Sequence, residues 1–152
     1  MASLIFLDAG VQNYAWGKPA ASSFVAQMKQ LSADHSGKMY AELWVGTHPS
    51  CPTHVLPSSH SLTHQGSTAG LQTLEEYLKT GDHMQAFFSP AHQSSAFANT
   101  VPYLLKILSV NSALSIQAHP CKALAEKLHA QNPDKYKDPN HKPELLCALT
   151  PF

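Results

Sequence analysis

The feature that most restricts what this chain can build is the stretch from Leu114 to Glu144. It opens on an alternating run in which Leu114, Ile116 and Ala118 are apolar while Ser115, Gln117 and His119 are polar. Side chains on a strand alternate faces, so the three polar residues share one surface. A helix-like segment follows, and then Lys142 and Glu144 come onto one face at the same spacing of two. If the two runs pair or lie side by side, Gln117, His119 and Glu144 converge, with Ser115 and Lys142 beside them. Amide oxygen, imidazole nitrogen and carboxylate together suit a divalent metal such as zinc, and three ligands leave room for another.

The rest of the chain reads as support for that surface. Its 152 residues are enough for one domain with a core and too few to imply two. Basic and acidic residues balance at ten each, which gives no reason to expect nucleic acid or an anionic membrane as partner. All the basic residues are Lys, so an anionic ligand meets ammonium groups and no bidentate guanidinium. Cys51, Cys121 and Cys147 are odd in number and form no CxxC, which argues for a reducing, cytoplasmic setting. The short apolar patch after Met1 lacks a basic lead, carries Asp8 early, and does not read as a signal peptide or a membrane span.

In chain order, Leu4–Leu7 reads as a short strand. Tyr14 and Trp16 then share a face of an extended stretch, either packing a core edge or walling a pocket. Ser22 or Ser23 caps a helix carrying Phe24, Val25, Met28 and Leu31, ending between Asp34 and Gly37. In the strand MYAELWVGTHP, Leu43 and Val45 take one face and Glu42, Trp44 and Gly46 the other. Glu42 there is either solvent-facing or aimed into a site. From His48 to Gly70 the composition predicts a loop with one short strand near His54–Leu56. Thr73 and Glu76 form a capping box for a helix ending at Gly81. A weaker helix begins at His83. VPYLLKILSV reads as a buried strand with Lys106 alone in it, an arrangement that needs a partner, a polar cavity or a snorkelling path. Pro120 suits the first position of a helix over KALAEKLHA. ELLCALTPF reads as a last apolar strand, as though the chain stops partway through a sheet.

Four segments, YAWGK, AELWVGTHP, PYLLKILSV-x3-LSIQAHP and NHKPE followed by ALTPF, together resemble type I mannose-6-phosphate isomerase (phosphomannose isomerase), in that family's order and over its amino-terminal part only. The pairing of SIQAHP with NHKPE is the specific element. The resemblance implies a mainly β, cupin-type β-sandwich (jelly-roll) with peripheral helices, incomplete here, all of 1–152 belonging to one catalytic domain. It implies an enzyme with one zinc ion that interconverts mannose 6-phosphate and fructose 6-phosphate through a cis-enediol, supplying precursors of GDP-mannose; separately from the resemblance, a monomer is expected. Gln117, His119 and Glu144 match three zinc ligands, whereas a fourth, a His, and an active-site Arg match positions beyond this chain. Trp16, Glu42, Lys106 and Ser115 match positions lining the sugar-phosphate pocket. Lys142 stands closest to the reacting oxygens as acid or base. His48 and His141 lie in the motifs but are expected as structural or surface residues. The competing expectation is a truncated, non-catalytic form that at most binds metal or sugar phosphate weakly.

Overall fold

A computed structural model describes residues 4–57, 68–95 and 97–150. The loop expected between His48 and Gly70 lies partly outside these, as do His60, His64 and the last two residues of ELLCALTPF. The chain divides into two compact units, 1–113 and 114–152.

The first unit is built on an antiparallel three-stranded sheet of β2 (Gly10–Gln12), β5 (Glu42–Val45) and β7 (Leu105–Leu108), ordered β2-β5-β7. β1 (Phe6–Asp8) pairs with β6 (His54–Leu56), and β3 (Lys18–Pro19) pairs with β4 (Met39–Tyr40). The register aligns Val11, Leu43 and Ile107 across the central sheet. That line packs against Val25 and Ala26 of helix α1 (Phe24–Met28), with Ala20 and Tyr40 completing a core. A second core forms where α2 (Leu74–Lys79) and α3 (His83–Phe87) set Leu74, Leu78 and Met84 against Leu7 and Val55. A short α4 (Pro90–Gln93) follows. Among the described residues no helix is long and apolar enough to cross a membrane.

Local chemistry accounts for the boundaries. Ser23 caps α1 as expected, accepting from the Ala26 N–H at 3.3 Å while its hydroxyl donates to the Tyr40 carbonyl at 2.9 Å. The helix stops well before the expected Asp34. Gln30 enters the left-handed region at φ 55°, and the Leu31 N–H closes back on the Ala26 carbonyl at 2.8 Å. This is a helix-ending turn that usually takes Gly, and the polar residue there hides it from the sequence. The Thr73–Glu76 capping box forms in both directions. Gly17 admits the close approach of two backbone segments, since a Cβ there would sit 2.7 Å from the Ala41 Cα.

β7 corrects one expectation. It is a sheet edge, and Tyr103, Leu105 and Lys106 are exposed while Val101, Leu104, Ile107 and Leu108 are half-buried, so the apolar run is only partly buried.

The second unit carries α5 (Lys122–Gln131), with Cys121 as its N-cap. Pro120 therefore precedes the helix and does not start it. Leu114–His119, Lys142–Glu144 and the described part of ELLCALTPF are irregular, contrary to the strands expected from alternation. An apolar–polar alternation marks a chain suited to a sheet, but a strand exists only where a partner supplies the ladder, and no such partner occurs among the described residues.

Two measurements test these contacts. Ser23→Ala leaves the buried Tyr40 carbonyl and the Ala26 N–H without their partner, and is expected to cost about 1–3 kcal/mol by urea denaturation. Burial and the hydrogen bond to Asp34 raise the Tyr40 phenol to about 12. Above the ordinary tyrosine value of about 10 the unfolded chain has lost that proton and the fold still holds it. Stability is thus expected to fall as pH rises from about 10 to about 12, and Tyr40→Phe should flatten that loss.

Candidate functional site

The second unit gathers the polar residues of the alternating run even without a ladder. The Gln117 side-chain N–H donates to Ser115 Oγ at 3.2 Å, which turns its carbonyl oxygen, Oε1, towards His119. His119 Nδ1 lies 2.9 Å from the Lys142 carbonyl oxygen. A carbonyl can only accept, so Nδ1 carries the proton and a neutral ring keeps its lone pair on Nε2. That lone pair faces Gln117 Oε1 at 3.4 Å. With the amide in this orientation the two acceptors face each other, an arrangement that a cation placed between them would satisfy.

The spacing fits a metal well. Two ligands about 2.1 Å from a tetrahedral zinc stand about 3.4 Å apart, because a tetrahedral edge is about 1.63 times the bond length. The carbonyl behind His119 is the outer-shell partner that fixes the tautomer and orientation of a ligating imidazole. Glu144 is exposed and makes no hydrogen bond or ion pair among the described residues, leaving its carboxylate available. No cluster of three His, Cys, Asp or Glu able to hold a metal occurs among the described residues. A centre here depends on the Gln117 amide, which such a cluster omits.

Lys142 takes a different place from the expected one. Its backbone carbonyl serves His119, while its ammonium lies 3.5 Å from Asp138 Oδ2. Partial burial works against the Asp138 charge, but hydrogen bonds from Asn140 and the Lys142 charge outweigh it and hold the carboxyl below its usual range. Lys122 meanwhile donates to Asn140 Oδ1 at 2.8 Å, tying α5 to the loop that carries His141 and Lys142.

In the first unit a second polar group forms on the sheet face opposite the α1 core. Glu42 is only 5% exposed, and this resolves its sequence ambiguity in favour of burial. The Trp44 indole N–H donates to Glu42 Oε2, and Lys106 Nζ sits 3.3 Å from the same oxygen. Lys106 also lies over the Trp44 ring, 4.5 Å from its centroid. Trp44 and Lys106 are direct cross-strand partners, which brings them together. Trp44 was not singled out from the sequence as a functional residue, although its place two residues beyond Glu42 on the same face was the available signal. His48 stands edge-on to Trp44 at 5.0 Å and accepts from the Ser50 N–H, a structural role as expected. Trp16 stacks on Tyr14 at 5.7 Å, and its carbonyl accepts from the Asn111 N–H at 2.9 Å.

Comparison with known proteins places the chain in a lineage. Residues 4–152 match the catalytic domain of type I phosphomannose isomerase. Mannose-6-phosphate isomerase of Cryptococcus neoformans is 41% identical over 99% of this chain and 32% of its own length. The Bos taurus mannose-6-phosphate isomerase is 42% identical over 96% of this chain and 32% of its own. The crystal structure of the Salmonella typhimurium mannose 6-phosphate isomerase, bound to its substrate (f6p) and zinc, superposes with a TM-score of 0.64 at 28% identity, over 93% of this chain and 34% of that one. The chain thus spans about a third of the length of the relatives it matches. The shared backbone bears out the expected fold class, part of a cupin-type sandwich with peripheral helices. On the match across 4–152 and the identity to these isomerases, the chain belongs to the type I phosphomannose isomerase family.

Proposed function

We propose that this chain contributes the metal-binding and phosphate-binding front of a zinc-dependent isomerase that interconverts mannose 6-phosphate and fructose 6-phosphate. The observation that carries the reading is the 3.4 Å approach of Gln117 Oε1 to His119 Nε2, with the Lys142 carbonyl fixing the imidazole tautomer. Gln117, His119 and Glu144 hold one zinc ion in this reading, and Ser115 orients the Gln117 amide. Bound zinc supplies a Lewis acid for the sugar oxygens. The isomerisation moves a proton between C1 and C2 through a cis-enediol, and Lys142 is the candidate polar group at the reacting oxygens. Its pairing with Asp138 holds the ammonium near the His119 loop until a substrate oxygen competes for it.

This reading assigns sugar-phosphate contacts to Trp16, Glu42 and Lys106 in the first unit and, separately, to Ser115 in the second. Lys106 is the residue that meets phosphate: its side chain is one-third exposed, while its carboxylate partner is buried. In this reading the two compact units belong to one catalytic domain of a monomer that feeds GDP-mannose synthesis, and the free cysteines fit a reducing cytoplasm. A second reading, a non-catalytic metal- or sugar-phosphate-binding module, is favoured by the exposure of Gln117, His119 and Glu144 to water. Ligands open to solvent bind a metal without the dry surroundings that strengthen electrostatic catalysis.

Two experiments separate these readings. Zinc titration against a chromophoric chelator should show a single site, weakened more than about tenfold by His119→Ala or Glu144→Ala and less by Ser115→Ala. Affinity should also fall as pH is lowered, because the ligating imidazole must be neutral. A stoichiometry of zero would sink the metal assignment. A coupled isomerase assay on the folded, zinc-loaded chain, with Gln117→Ala/His119→Ala beside it, then decides between them. Turnover lost in the double variant supports the isomerase, and absence of turnover from zinc-binding material supports the binding module.

A further inference from the structure

We propose that Trp44 is a positioning residue that keeps the Lys106 ammonium available to a sugar phosphate, by occupying the Glu42 oxygen that Lys106 would otherwise take for itself. The inference rests on the reading above in which Lys106 meets the phosphate.

The geometry is specific. Glu42 Oε2 receives the Trp44 indole N–H and also faces Lys106 Nζ at 3.3 Å. A charge-assisted N–H···O bond between an ammonium and a carboxylate usually closes to about 2.7–2.9 Å. The Glu42–Lys106 pair is longer than that, and the indole N–H on the same oxygen takes one of the lone pairs Lys106 could use. The indole ring provides a second, weaker hold, with the ammonium 4.5 Å from its centroid. Held by one shared oxygen and one ring face, the ammonium keeps donors free. The Lys106 side chain is 33% exposed while the Glu42 side chain is 7% exposed, so an approaching anion meets the cation and not the carboxylate. Trp44 itself is 7% exposed and fixed by its place in β5, and it cannot follow the lysine if the ligand draws it away.

Removing the indole N–H while keeping an aromatic ring frees Oε2. The carboxylate then turns fully onto Lys106, and an incoming phosphate must compete with a closer ion pair. The test is calorimetric binding of mannose 6-phosphate to the 152-residue chain and to Trp44→Phe, each with Glu42 intact and as Glu42→Gln. One net hydrogen bond of about 0.5–1.5 kcal/mol converts to a loss of about 2- to 10-fold in affinity for Trp44→Phe. In the Glu42→Gln background the same change should alter affinity less than about twofold, since no carboxylate remains to recapture the ammonium. Replacement of Trp44 by 3-benzothienylalanine, an indole isostere with sulfur in place of N–H, preserves the packing volume and should reproduce the loss even where Trp44→Phe does not fold.

Equal loss in both Glu42 backgrounds marks Trp44 as a packing residue and overturns this inference alone. So does unchanged affinity in both Trp44 variants when Lys106→Met binds weakly. Unchanged affinity in Lys106→Met overturns the phosphate assignment on which the inference rests, and no binding by the parent chain overturns both.

Discussion

A carboxylate buried on a small sheet is the constraint around which the first unit is arranged. Stripping water from a charged group costs several kcal/mol unless partners replace it. Glu42 meets that demand with the Trp44 indole N–H and the Lys106 ammonium, both delivered to one face by the register of β5 and β7. The opposite face satisfies a different demand, with Val11, Leu43 and Ile107 closed off by α1. One sheet thus separates the forces cleanly, hydrophobic burial on one side and a paired charge on the other. A one-residue slip in β5 would exchange the two faces and lose both.

The hydroxyls that tie elements together follow the same economy of buried polar groups. Ser23 joins the start of α1 to β4, and Ser109, past the end of β7, accepts from the Phe24 N–H while its own N–H reaches the Ala41 carbonyl. Thr53, fully buried, accepts from the Gly46 N–H and donates to the Trp44 carbonyl, bracing the strand that carries Trp44. These short side chains hold the face on which Glu42 and Lys106 are presented.

The second unit works with less burial and more local hydrogen bonding. Its metal candidate is legible because the i, i+2 spacing of Ser115, Gln117 and His119 survives without a ladder, as a chain of contacts from hydroxyl to amide to imidazole. What the spacing does not reveal is that Lys142 contributes its carbonyl to His119 and commits its ammonium to Asp138. Side-chain chemistry can be read from residue type, but a backbone carbonyl is present at every position and leaves no mark in composition.

The sequence by itself determined the features with local causes. The Ser23 cap, the Thr73–Glu76 capping box, the short strand at His54–Leu56, the two faces of β5 and the family resemblance all rest on neighbours within a few residues or on matched motifs. Only the tertiary structure decided which apolar run lies inside, which alternation becomes a strand, and where Glu42 points. β7 reads as buried from its apolar residues yet is a sheet edge, and Leu114–His119 alternates yet carries no ladder. Strand formation and burial depend on a partner distant in sequence, and a buried charge depends on a counter-charge from another strand. Neither is encoded in the periodicity of the segment itself.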